Sequence, residues 1–242
     1  MDARDILLTL AVRNEGNFNK TYRDIQNKNL PSEEEVLKTK NEYKGKFITF
    51  LDENYPKALK MQPMPPFVLF YKGNIDLLNK ENIVCVACKR NYDDLDEKHA
   101  KELLENDLDL TYLIGGTKFG LDEKVKDFGK PTIVVLPRPI EDGDARYFDN
   151  CDLLISEYPN GVPVRQEFFS RRNSIMASLL NKLLVINCRQ LSGTLMLVNT
   201  ACCYNKDVLV VPKTIEQDSE TINFELIGEG AYAITSTKEL AL

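Results

Sequence analysis

No stretch of this sequence strings together the roughly 18 apolar residues that a membrane-crossing helix needs. Its first residues, Met1-Asp2-Ala3-Arg4-Asp5, lack the basic and then apolar layout of a signal peptide. A cytoplasmic protein with no membrane partner is expected. Histidine is nearly missing. The one copy, His99, sits in the charged helical run Asp96-Glu97-Lys98-His99-Ala100-Lys101, so Ser-His-Asp or Cys-His catalysis has no centre to build on. No paired-acid spacing stands out either, Asp152 and Glu157 being the carboxylates near the strand ends. Binding is therefore expected rather than turnover, with no catalytic residue and no cofactor.

Metal ligands are equally scarce. The six cysteines (Cys85, Cys88, Cys151, Cys188, Cys202, Cys203) mostly sit in or beside apolar stretches, as reduced core residues do, and no disulfide is expected. Cys85 and Cys88 have a Cys-x-x-Cys spacing, but on a strand positions three apart point to opposite faces and cannot share an ion. Basic excess is missing too. The net charge of −6 excludes a protein that coats nucleic acid with its whole surface. One local exception stands out: between Pro159 and Leu195, Arg165, Arg171, Arg172, Lys182 and Arg189 face Glu167 alone, which reads as a patch for a phosphate-bearing partner or as a few solvated arginines.

What is present is an alternation of short apolar runs with helix-compatible stretches. The runs are Ile83–Ala87, Leu110–Ile114, Thr132–Leu136, Leu153–Ile155, Leu183–Ile186 and Val208–Val211. Between them lie Leu95–Glu105, Leu121–Phe128, Ser174–Leu180 and Leu195–Tyr204. Unbroken apolar strands imply burial on both faces. The stretches between them imply right-handed crossovers, giving an α/β, Rossmann-like, mostly parallel sheet with helices on both faces. Residues 1–44 read as a small helical unit, with Ile6, Leu7, Leu10 and Ala11 at helical spacing and a helix start at Pro31-Ser32-Glu33. Residues 45–242 read as the main domain, entered through an extended, proline-rich segment.

Ligands of such sheets bind beyond the carboxyl ends of the strands, and four places there carry usable chemistry. Lys89 follows the first core strand. Gly115, Gly116, Lys118 and Gly120 follow the second, where glycines serve either a tight turn or a close phosphate approach. Phe169-Ser170-Arg171-Arg172-Asn173 is expected at the mouth of a helix, with Arg172 as a phosphate fork and Asn173 beside it. The alternative there is that Asn173 caps the helix while Arg172 pairs with Glu157. Arg189 and the turn Ser192-Gly193-Thr194 come last, reading as an anion nest or as a plain helix cap.

Taken in order, these motifs resemble the DNA-processing protein A (DprA, Smf) family. The resemblance rests on Tyr55-Pro56, Pro65-Pro66, Leu69 with Gly73-Asn74, Ser156-Glu157-Tyr158-Pro159-x-Gly161, Phe169-x-x-Arg172-Asn173-x-Ile175, Ser192-Gly193-Thr194-Leu195 with Ala201, and Val210-Val211-Pro212. It runs from about residue 45 to 235. The resemblance implies sequence-independent binding and protection of single-stranded DNA, delivery to a RecA-type recombinase during DNA uptake, and a homodimer. It also implies that 1–44 is a sterile-alpha-motif-like unit and that the family's C-terminal winged-helix domain is missing. Departures are visible. The family's Gly-Ser-Arg is Ala87-Cys88-Lys89 here, the second arginine of its Arg-Asn-Arg is Ser174, and the basic residue before Ser-Gly is Leu191, while Lys118 and Arg189 are placed to substitute. Two other classes remain open: a nucleotide-binding sensor, and a phosphoribohydrolase-like enzyme reading Gly115-Gly116-Thr117 as its loop.

Overall fold

Six unbroken apolar runs become six adjacent parallel strands. A computed structural model describes residues 2–116, 120–144, 152–214 and 217–241. The strands are Lys46–Thr49 (β1), Val68–Gly73 (β2), Ile83–Cys88 (β3), Thr111–Ile114 (β4), Thr132–Leu136 (β5), Leu153–Ser156 (β6), Lys182–Asn187 (β7), Asp207–Val210 (β8) and Tyr232–Ala233 (β9). They form one sheet in the order β1-β2-β6-β5-β4-β3-β7-β8-β9. Only β1–β2 and β2–β6 pair antiparallel. The helices are Ala3–Arg13 (α1), Phe18–Gln26 (α2), Glu33–Glu42 (α3), Lys57–Lys60 (α4), Asp94–Leu104 (α5), Asp122–Val125 (α6), Glu167–Leu179 (α7), Gly193–Cys203 (α8) and Asn223–Gly228 (α9).

Strand alternation sorts the core into two layers. Cys85 and Ala87 of β3 point to the layer holding Ile175 and Met176 of α7 and Val198 and Ala201 of α8. Val84 and Val86 point the other way, onto Ala100, Leu103 and Leu104 of α5 and Val125 of α6. The two cysteines of the Cys-x-x-Cys spacing accordingly fall on opposite faces, and burial pushes both thiols well above their ordinary value. Cys85, Cys88, Cys188, Cys202 and Cys203 are free thiols, and Cys151 lies outside the described residues. No described helix is long and apolar enough to cross a membrane.

The proline-rich segment is a brace. Tyr55 is buried in the core and its hydroxyl donates to the Pro66 carbonyl at 2.7 Å, joining the Tyr-Pro and Pro-Pro motifs. Helices α1 to α3 begin at residues with capping side chains, Asp2, Asn17 and Ser32, the last forming a capping box with Glu35. Leu7, Leu8 and Ala11 of α1 pack on Val68 and Phe70 of β2, which covers the antiparallel end of the sheet.

The turn after α1 touches the strand-end loop after β6 directly. Gly16 has φ +72, and a Cβ there would stand 2.5 Å from the Glu157 carbonyl oxygen. Gly16→Ala is expected to destabilise the protein by at least about 1–2 kcal/mol from the left-handed backbone alone, read as a lower urea midpoint. An unchanged midpoint would show that this contact does not hold the helices to the sheet.

Candidate functional site

The chain winds from β3 through β4 and β5 to β6 in one direction, then returns to place β7 on the free side of β3 and continues to β8 and β9. The β3/β7 junction is thus the topological switch point, where the loops leaving the two strands diverge and open a crevice. That crevice measures about 460 Å³ and is lined by Cys88, Lys89, Arg90, Gly115, Asp122, Phe169, Arg172 and the segment Arg189–Thr194. Lys89, Gly115, Arg172, Arg189, Ser192, Gly193 and Thr194 therefore come together. Gly116, Gly120 and Asn173 do not line it, and Lys118 lies outside the described residues.

Arg172 is held at the crevice from below. Its Nε donates to Asn173 Oδ1 at 2.9 Å and its Nη1 to the Gly115 carbonyl at 2.5 Å. A side chain at position 115 would collide with this contact, since a Cβ there would lie 2.1 Å from Nη1. That contact gives Gly115 a steric role, on the wall of the same crevice. Asn173, buried, orients the guanidinium instead of reaching the crevice. Burial pulls the Arg172 guanidinium down from its ordinary value against the pull of Asp122, yet an arginine stays protonated in proteins. It makes no salt bridge with the other described residues.

Two expectations about this segment are corrected. Helix α7 starts at Glu167, so Arg171 to Asn173 lie in its second turn and not at its mouth, and the helix dipole does not act there. Arg171, not Arg172, pairs with Glu157, at 2.7 Å. Burial pushes the Glu157 carboxyl up, opposed by that guanidinium. Tyr158 stacks on Phe168 with ring centroids 3.7 Å apart, while Ser156 Oγ accepts from the Tyr158 amide. The Ser-Glu-Tyr-Pro motif thereby clamps α7, with Arg171 turned inward and Arg172 at the crevice.

Lys89 departs furthest from expectation. Its side chain is buried and its ammonium meets Asp218 at 2.5 Å, Asp93 at 2.9 Å and Asp96 at 3.2 Å. Burial works to lower its pKa, but these carboxylates outweigh it and hold the ammonium above its ordinary value. Lys213, fully buried, bonds Asp96 at 2.6 Å and Asp93 at 3.4 Å. Asn187 donates to Asp96 and Asp218, both at 2.9 Å. Lys89 is a structural cation inside a cage of acids, and the exposed cation of that loop is its neighbour Arg90.

The basic patch is likewise dispersed. Arg165 pairs with Glu15, Lys182 caps backbone carbonyls at the opposite end of the sheet, and Arg189 pairs with Glu220 and, at 3.5 Å, with Asp218. Ser192 caps α8 by accepting from the Leu195 amide, and its hydroxyl donates to the Arg189 carbonyl. The Thr194 hydroxyl donates to the Cys88 carbonyl. Both hydroxyls are thus engaged, and what that helix start still offers is its first-turn amides. Arg90, Asp96, Lys213, Asp218 and Glu220 escaped sequence reasoning. Position offered a signal for two of them, since Arg90 and Lys213 follow core strands as Lys89 does.

Comparison with known proteins places this geometry among relatives. The family model for DNA recombination-mediator protein A matches residues 46–242. DNA processing protein DprA of Streptococcus pneumoniae (strain ATCC BAA-255 / R6) is 29% identical over 250 residues, covering 98% of this chain and 84% of its own. Protein Smf of Synechocystis sp. is 26% identical over 209 residues, 80% of this chain and 52% of its own length. The X-ray structure of the pneumococcal protein superposes with a TM-score of 0.73 at 28% identity, covering 86% of this chain and 79% of that one. The structure of DNA processing protein A from Helicobacter pylori, described for its single-stranded DNA binding mode, shares the fold with a TM-score of 0.70 at 22% identity, over 81% of this chain and 94% of that one.

The cage predicts a large penalty for breaking it. Lys213→Met leaves the buried Asp96 short of a partner and is expected to cost roughly 3–5 kcal/mol of stability in urea denaturation. Parent-like stability would show that these charges do not pin the loops.

Proposed function

The chain belongs to the DNA recombination-mediator protein A family, and from that membership we propose that it binds single-stranded DNA without sequence preference. The backbone phosphates enter the crevice between β3 and β7. One observation carries the reading: at the switch point Gly115 and Asn173 fix the Arg172 guanidinium on the crevice through Nη1 and Nε, and the charge with its remaining Nη2 donors meets the anion there. Exposed Arg90 and the first-turn amides of Gly193 and Thr194 stand on the same crevice and add to it. Arg189 joins once a phosphate displaces the exposed Glu220 carboxylate. The name of the pneumococcal relative, DNA processing protein DprA, supports DNA as the ligand.

On this reading the protein is a binding protein that protects a strand and passes it to a RecA-type recombinase, working as a homodimer in the cytoplasm. Residues 1–44 form the helical unit that precedes the DNA-binding domain. Lys89 contributes by fixing the loops, and its place as a phosphate contact passes to Arg90.

The test is fluorescence anisotropy of a labelled oligothymidine at two salt concentrations. Arg172→Ala is expected to weaken binding roughly tenfold or more, equally for all sequences. The slope of log affinity against log salt should fall by about 0.7. Gly115→Ala should reproduce this loss by evicting the guanidinium, and Glu220→Gln should tighten binding by unmasking Arg189. Absence of salt-sensitive binding by the parent at low ionic strength would reject the reading.

A further inference from the structure

Leu191 is the most anomalous side chain of the crevice. It is 100% exposed, lies in the loop between β7 and α8, and has φ +55, a left-handed backbone that disfavours a bulky side chain. Glycine or asparagine would hold this turn without strain and without putting an isobutyl group in water. No described residue covers it. Its position is specific: Leu191 lines the crevice together with Arg172 and Arg189, and the 41%-exposed ring of Phe169 lines it from α7. Two apolar groups from different elements therefore border a site whose cations and amides suit phosphate.

The ligand that fits must present anionic and apolar surfaces within one nucleotide of each other. An unpaired strand does so, because its base faces are open beside its phosphates. A duplex hides those faces in its stack and offers phosphates alone. We propose that Leu191 is a base-contacting residue of this crevice. It packs on the face of an unpaired nucleobase next to the phosphate held by Arg172, and it makes discrimination against duplex a property of the site. This inference rests on the single-strand reading above.

Two labelled probes of equal length separate the terms: an oligothymidine, and an abasic strand with the same phosphates and no bases. Leu191→Ala is expected to weaken oligothymidine binding roughly five- to tenfold, to leave the abasic strand unaffected, and to leave the salt slope unchanged. Leu191→Asn, which suits the left-handed backbone, should lose the same affinity while matching or exceeding the parent in urea denaturation, so that loop strain and base contact are read apart. Equal loss on both probes, or no loss on either, overturns the assignment of Leu191 while leaving the single-strand reading standing. A parent that binds neither probe at low salt overturns both.

Discussion

The geometry of the crevice depends on a set of charges that have no water to solvate them. Asp96 on α5 and Lys213 after β8 are both fully buried, and ions in such surroundings persist only when paired and hydrogen-bonded. Lys89 from the β3 exit and Asn187 from the end of β7 partner Asp96, and Asp218 from the segment that follows β8 bonds Lys89 and Asn187 in turn. Opening any one loop would strand a charge belonging to another. The exits of β3, β7 and β8 are thus tied to α5 and to one another through this set.

That solution has an electrostatic consequence. Lys89, Lys213 and Arg189 face Asp93, Asp96, Asp218 and Glu220, so these three cations project little net positive potential. Among the described crevice residues, that leaves Arg172, Arg90 and the α8 amides to face a polyanion on a chain of net charge −6. Three members of the cage, Asp93, Asp218 and Lys89, are shifted away from neutrality. The Asp93 carboxyl is lowered to about 2 through Lys89 and the Asp96 amide, overriding its burial. A lowered folded pKa gives stabilisation that is present above the ordinary carboxylate range and disappears only as pH falls toward 2. Lys89, shifted upward, contributes fully below its ordinary value and is lost only at more alkaline pH.

Much of this fold was legible in the sequence because a doubly wound sheet writes itself in unbroken apolar runs. Leu183–Ile186 and Val208–Val211, for instance, lie within a residue or two of β7 and β8. The convergence of Gly115, Arg172 and Ser192 was legible for the same reason, since strand ends on one edge of a parallel sheet must meet. What stayed hidden was the partner of each charge. Asp218 reaches Lys89 across 129 positions, and no local pattern announces such a contact. Helix α7 was misplaced at its start because Phe168 and Phe169, adjacent and both aromatic, give no helical period, although one is buried and the other exposed. That Arg171 rather than Arg172 meets Glu157 turns on which face of that helix each occupies, and the misplaced helix start hid those faces.

The substitutions that read as losses have a shared physical logic. A lysine ammonium is compact and offers three donors in a rotatable cone, which suits three carboxylates converging from different elements. A guanidinium presents a planar fork that suits one bidentate partner. At position 89, where Asp93, Asp96 and Asp218 meet, lysine is the better fit, and its charge is spent inward. The rim must then draw on other groups. Arg90 is one, and on the reading developed above Leu191 is another, standing where the family favours a basic residue. Replacing a cation by an apolar contact exchanges attraction for phosphate, which every nucleic acid carries, for contact with a base face, which only an unpaired strand exposes. A crevice so altered gives up long-range pull on polyanions in general and gains selectivity among them, a consistent outcome for an acidic protein in which Lys89 and Arg189 of the crevice are already paired with carboxylates.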